Sequence, residues 1–128
     1  ESPDIQERPQ LLGATVLTSM ADADLAQVGV NVNVASQVIR LARLAEEAGL
    51  DGVVASPSEL SLLRGQLGSA MKIVTPGIRP AGSEVNDQSR FATPAAALHA
   101  GADYLVIGRP ITASLDPAGS LEKILSEL

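Results

Sequence analysis

Four short apolar runs, rich in β-branched residues and separated by helix-like segments, set the limits on how this chain can fold. They are Leu11–Thr18 (LLGATVLT), Gly52–Ser56 (GVVAS), Lys72–Thr75 (KIVT) and Tyr104–Pro110 (YLVIGRP). Runs with so little polar alternation read as strands covered on both faces. Between the first two, Val34, Val38, Ile39, Leu41, Leu44 and Ala45 recur at helical spacing from Asn33 to Ala48, and Gly49 ends that helix. Arg40, Arg43, Glu46 and Glu47 fall on its other face and read as solvated surface. Further helices are expected after Pro57-Ser58 through Leu67, from Thr93-Pro94 through His99-Ala100-Gly101, and from Ala118 to Leu128 behind Asp116-Pro117. Asp22 and Asp24 lie where a shorter helix begins and read as caps rather than metal ligands. Four consecutive strand–helix units of this kind, an α/β arrangement, predict a parallel sheet, open or closed into a barrel.

An internal echo supports the order. Ala48-Gly49-Leu50-Asp51-Gly52-Val53-Val54-Ala55-Ser56 aligns with Ala100-Gly101-Ala102-Asp103-Tyr104-Leu105-Val106-Ile107-Gly108. In each copy a helix stops on glycine, an aspartate turns the chain and an apolar strand follows, so Asp51 and Asp103 are expected to be turn residues. Right-handed crossovers then bring every strand's C-terminal end to one rim.

That rim gathers the candidate chemistry. It holds Thr18 and Ser19, Ser56, the stretch Thr75 to Arg79, and Gly108-Arg109, beneath a polar loop PAGSEVNDQSR that contains Gln88. Two guanidinium groups at neighbouring strand ends favour an oxyanion, because bidentate charge-assisted bonds to phosphate exceed neutral ones. Glycine at 108 lets its main chain approach the anion, and Gln88 adds an amide donor. Taken singly, each arginine also reads as a surface ion pair, Gln88 as a loop polar residue, and the two hydroxyls as strand-end caps. His99, the one histidine, ends a helix at the opposite rim and is a bystander.

The remaining composition removes other classes. A charge of −6 with one Tyr and one Phe leaves neither a basic face nor a stacking platform for nucleic acid. Without cysteine there is no disulfide frame or thiolate site, which fits a reducing, cytoplasmic setting. No apolar stretch approaches the ~20 residues that cross a bilayer, so no membrane partner is expected. Glu1–Gln10 reads as a linker or the end of a preceding element, and residues 1–128 as one segment.

Taken together, VLTSM, GLDGVVAS, VTPGIRPAGSEVNDQSR and DYLVIGRPIT resemble, in order and spacing, the C-terminal half of the bacterial orotidine 5'-monophosphate decarboxylase family. That family folds as a (β/α)8 TIM barrel and serves pyrimidine biosynthesis. The resemblance implies substrate-binding roles for Thr18, Arg79, Gln88, Gly108 and Arg109, and a contact of Ser19 with the pyrimidine edge. Gln88, Arg109 and the Gly108 main chain would hold the phosphate of orotidine 5'-monophosphate or UMP, with Arg79 nearby. The family works without metal or organic cofactor, so none is expected.

One departure is as informative. The family's catalytic Asp-x-Lys-x-x-Asp motif is absent from these 128 residues, and neither Lys72, at the start of a strand, nor Lys123, on the last helix, stands in for it. In the family the lysine stabilises and protonates the carbanion while carboxylates crowd the departing group. A full barrel needs eight strands and ~200 residues or more. The chain is therefore expected to be the C-terminal half-barrel, inactive alone, with the N-terminal half-barrel as its missing partner and a homo-oligomeric state. Two alternatives stay open: a related sugar-phosphate barrel enzyme, such as a keto-gulonate-phosphate decarboxylase or hexulose-phosphate synthase, and a non-catalytic phosphate-binding half-barrel.

Overall fold

The computed structural model describes residues 8–80 and 91–128. Its strands are β1 (Leu12–Ala14), β2 (Gly52–Val54), β3 (Lys72–Thr75) and β4 (Tyr104–Leu105). They form one parallel sheet in the order β1-β2-β3-β4, with Gly13 beside Val53, Val53 beside Ile73, and Val74 beside Tyr104. Strand order that follows sequence order has no reversal point, which sets it apart from doubly wound sheets and matches one wall of a barrel.

The helices follow local chemistry. Helices α1 (Asp22–Gln27) and α2 (Val34–Glu47) come between β1 and β2. The Asn33 side chain accepts from Ser36 N–H and starts α2, whose buried stripe is Val34, Val38, Ala42 and Ala45. Leu44, assigned to that stripe by spacing, points outward instead. Arg43 and Glu46 are more than solvated surface, since Arg43 bonds Gln66 and Glu46 accepts from Gly68 N–H at 2.8 Å. Asp24 accepts from Ala21 N–H at the head of α1, while Asp22 accepts from Val34 N–H and so couples α1 to α2. A 3-10 turn (Pro57–Glu59) leads into α3 (Leu60–Arg64), and α4 (Pro94–His99) is capped by Thr93. After β4 come α5 (Arg109–Thr112) and α6 (Pro117–Ser126), the latter capped by Asp116.

The strands are shorter than the apolar runs that contain them, for an identifiable reason. Pro76 and Pro110 lack the N–H that a ladder needs, and Val106 N–H to Thr75 O is the last bond between β3 and β4. The chain at Gly108 therefore turns into α5, so Arg109 opens a helix and is not the end of a strand.

The expectation that both sheet faces are covered needs correction. The face carrying Gly13, Val53 and Ile73 packs under the helices, and a Cβ on Gly13 would meet Ala45 of α2 at 3.3 Å. The opposite face carries Leu12, Ala14, Val54, Val74 and Tyr104, and its Leu12 and Tyr104 are 42% and 51% exposed. Helices α1 to α4 lie in the connections between successive strands, which right-handed crossovers put on one side of the sheet, so the exposed residues belong to the other side.

The echo of the sequence is a repeated structural device. Gly49 (φ 76°) and Gly101 (φ 111°) end α2 and α4 in the left-handed region that favours glycine. Asp51 donates its N–H to Leu11 O and takes Leu11 N–H on its carboxylate at 2.7 Å; Asp103 donates to Ile73 O and takes Ile73 N–H at 2.8 Å. Each carboxylate is also ion-paired, Asp51 with Arg8 and Asp103 with Arg64 and Lys72.

These bonds hold both acids below their ordinary value of 3.8. For Asp51 the Arg8 hydrogen bond is the main cause, followed by Leu11 N–H. At Asp103 burial pulls upward, but Ile73 N–H, Arg64 and Lys72 together outweigh it. Because the unfolded chain takes up these protons first, their contribution to stability is complete above 3.8 and is lost as pH falls through the depressed folded values. Urea unfolding should therefore show a midpoint that drops in acid, and Asp103→Asn should lower the midpoint at pH 7 while reducing that acid decrement.

Candidate functional site

All four strands run upward to one rim, and each leaves it differently. After β1 the chain turns through Met20 N–H to Leu17 O, presenting a half-buried Thr18 and an exposed Ser19. Behind β2 comes the buried Ser56, whose hydroxyl donates to the buried carboxylate of Glu59. Past β3, Pro76 and Gly77 (φ 75°) redirect the chain so that Ile78 bridges Ala92, and Arg79 N–H donates to Ala92 O at 3.0 Å. That lock fixes Arg79, which is only 8% exposed. Beyond β4, Gly108 forms the N-cap of α5 and its carbonyl accepts from Ile111 and Thr112 N–H.

Arg79, Gly108 and Arg109 come together along one hollow of ≈ 240 Å³, which Gly77 and Val106 also line. A Cβ built on Gly108 would meet nothing within 4 Å, so its main chain faces open space. Two arginines beside an approachable backbone concentrate positive charge here in a chain of net charge −6. Pro76 forms part of this wall and of a second hollow, ≈ 70 Å³ and mainly apolar, between Ala14, Val16, Thr18, Val54 and Ala55. Thr18 reaches a third, wider hollow of ≈ 430 Å³ together with Ser19 and Asp22. The first of these hollows is lined by the two arginines and the second is mainly apolar.

Five of the six candidate residues thus lie on this rim, three on the charged hollow and two at the hydroxyl-bearing turn; Gln88 lies outside the described residues. Lys72 and His99 sit at the other end of the sheet, Lys72 in an ion pair 3.4 Å from Asp103. Among the described residues no cluster of three or more His, Asp or Glu side chains is placed to hold a metal ion. The sequence reading missed that Glu59 is buried at the rim with Ser56. Its one signal in the sequence is the Ser-x-x-Glu spacing from Ser56 to Glu59, a pattern that also suits a helix start.

Comparison with known proteins accounts for this layout. The family described as orotidine 5'-phosphate decarboxylase / HUMPS matches residues 3–124. The chain belongs to that family. Orotidine 5'-phosphate decarboxylases from Actinobacillus succinogenes and Vibrio parahaemolyticus are 58% and 57% identical over 123 residues, 96% of this chain and 53% of each relative. The solved orotidine 5'-phosphate decarboxylase of Lactobacillus acidophilus superposes with a TM-score of 0.80 at 37% identity, covering 98% of this chain and 51% of that one. An uncharacterized conserved protein from Geobacillus kaustophilus gives 0.78 at 30% identity over the same share of this chain. The chain spans about half the length of the curated relatives it matches and aligns to their C-terminal half. Its four strand–helix units are therefore half of the family's TIM barrel.

Among the described residues one buried polar side-chain atom is left unsatisfied beneath the rim. Thr75 is 0% exposed and its hydroxyl has no hydrogen-bond partner among the described residues. An orphaned buried hydroxyl costs about 1–3 kcal/mol, so Thr75→Val, which keeps the β-branched shape, should raise the unfolding free energy by ~1 kcal/mol in urea titrations.

Proposed function

We propose that this chain carries the phosphate- and pyrimidine-contacting half of an orotidine 5'-phosphate decarboxylase, a carboxy-lyase that converts orotidine 5'-monophosphate to UMP in pyrimidine biosynthesis. The observation that carries the reading is a charged hollow beside an apolar one, with Pro76 in the wall of both. Arg79, Gly108 and Arg109 line a charged one, and the apolar one beside Thr18 shares the Pro76 wall with it. The first suits a 5'-phosphate and the second the edge of a pyrimidine.

In this reading Arg109 and the Gly108 main chain grip the phosphate, and Arg79 adds charge from a position braced against Ala92. Thr18 and Ser19 address the base, and Gln88 joins the phosphate contacts. Binding energy from a remote phosphate orients the substrate and offsets the distortion of the reacting group, so this half serves catalysis without touching the carboxylate that leaves. The reacting charges belong to an Asp-x-Lys-x-x-Asp motif that these 128 residues do not contain. The partners assigned are orotidine 5'-monophosphate or UMP, the complementary half-barrel, and a further copy in a homodimer. The reading places the protein in the cytoplasm, in keeping with the lack of cysteine; none of the described helices is long and apolar enough to cross a membrane. The sugar-phosphate alternative is not favoured, because the relatives at 57–58% identity carry the decarboxylase name.

Calorimetric titration with UMP tests the proposal. Arg109→Ala should weaken binding at least about tenfold, roughly 1.5 kcal/mol, as expected for losing a charge-assisted bond. Gly108→Ala, whose added methyl meets open space in the protein, should weaken UMP while leaving the urea midpoint nearly unchanged. Binding of ribulose 5-phosphate in preference to UMP would overturn the assignment. The chain alone should show no release of carbon dioxide from orotidine 5'-monophosphate.

A further inference from the structure

The three seams of the described sheet end in the same way. One residue past the last ladder pair, Thr15 N–H donates to Val54 O, Ala55 N–H to Val74 O, and Val106 N–H to Thr75 O, at 3.1, 3.1 and 2.9 Å. At the first seam a side chain joins in. The Thr15 hydroxyl donates to the same Val54 O at 2.7 Å, so one residue occupies both lone pairs of that carbonyl. Alanine and valine at the other two seams have no side-chain donor to add.

The doubled bond lies directly beneath the hydroxyl-bearing turn. Only Val16 and Leu17 stand between Thr15 and Thr18. Val16 packs into the core, and the chain then turns at once through Met20 N–H to Leu17 O at 2.9 Å, with Thr18 and Ser19 inside the turn. A threonine is stiff about χ1, so a hydroxyl fastened to Val54 O fixes the direction in which the backbone leaves the sheet. A small rotation at residue 15 would swing the whole turn. Thr15 also lines the apolar hollow beside Thr18 and takes no part in the arginine-lined one. Along the rim Arg109 follows β4, three strand spacings from β1 or about 14 Å.

We propose that Thr15 is a positioning residue for the base end of the site: its hydroxyl on Val54 O holds the Thr18–Ser19 turn where that turn meets a pyrimidine, and so separates a nucleotide from a bare sugar phosphate. The inference rests on the nucleotide reading of the site and deepens it. The arginine-lined hollow recognises the phosphate that both ligands carry, and the turn held by Thr15 recognises the base that only one of them has. Thr15→Val deletes the hydroxyl and keeps the branched shape. Val54 O then retains the N–H of residue 15, so no buried carbonyl is orphaned and the fold survives. Thr15→Ser keeps the donor.

Paired calorimetric titrations with UMP and ribose 5-phosphate test the assignment. Thr15→Val should weaken UMP at least about fivefold and leave ribose 5-phosphate within about twofold, while Thr15→Ser binds UMP within about twofold of the unsubstituted chain. A purely structural role would weaken both ligands alike, in step with the urea midpoint. That result, or unchanged UMP binding in Thr15→Val, overturns the proposal. Amide exchange separates this failure from a failure of the nucleotide reading. Met20 N–H should exchange faster in Thr15→Val and return to its original rate in Thr15→Ser. If the unsubstituted chain does not take UMP, the nucleotide reading falls, and Met20 exchange alone decides whether Thr15 holds the turn. An unchanged rate overturns the positioning role in either case.

Discussion

A carboxylate at the foot of a strand does two jobs in this structure, and the rim depends on both. Asp51 and Asp103 each exchange a backbone bond with the neighbouring strand's entrance and then take that neighbour's N–H on the side chain. Slipping either strand by one residue would break both bonds and would turn Val53 and Ile73 away from the helices. With register fixed at the lower end, short strands of three, three, four and two residues deliver their upper ends at one level. The arginines, the glycine and the hydroxyls meet because the aspartates below hold the strands in step.

Above that foundation the rim separates charge from apolar surface. Arg79 is nearly buried, and a buried guanidinium is tolerated only where its donors are engaged and its backbone is fixed. The short parallel bridge to Ala92 supplies the second condition. Pro76 stands between the two hollows as a rigid partition whose missing N–H also ends the ladder. The same residue thus terminates the strand and shapes the seat.

Much of this layout is legible in the residues. Local chemistry marks the helix starts, and Asn33, Thr93 and Asp116 each cap the helix that their spacing implies. The limits of β3 and the helical segment after Pro94 follow from proline and β-branched residues alone. What one-dimensional pattern does not encode is where pairing stops. The apolar run Leu11–Thr18 reads as a continuous strand, yet only Leu12–Ala14 is laddered, because a ladder needs a partner of matching length and Val54 ends the neighbouring one. Arg109 leaves the strand for the same kind of reason. The burial of Glu59 and the open second face are three-dimensional facts, set by which side the crossovers occupy. Gln88 carries a role by resemblance alone.

Strand order that follows sequence order also governs how such a chain can be assembled. Among the described strands, each of β2, β3 and β4 docks on the one made just before it. Each pairing still closes a long loop, Leu12 to Gly52, Gly52 to Lys72 and Val74 to Tyr104, which slows parallel docking, and the paired units ending at Val54 and Leu105 each bring their own aspartate lock. A ribosome releasing this polypeptide would expose a growing sheet whose newest edge is always the next strand's template.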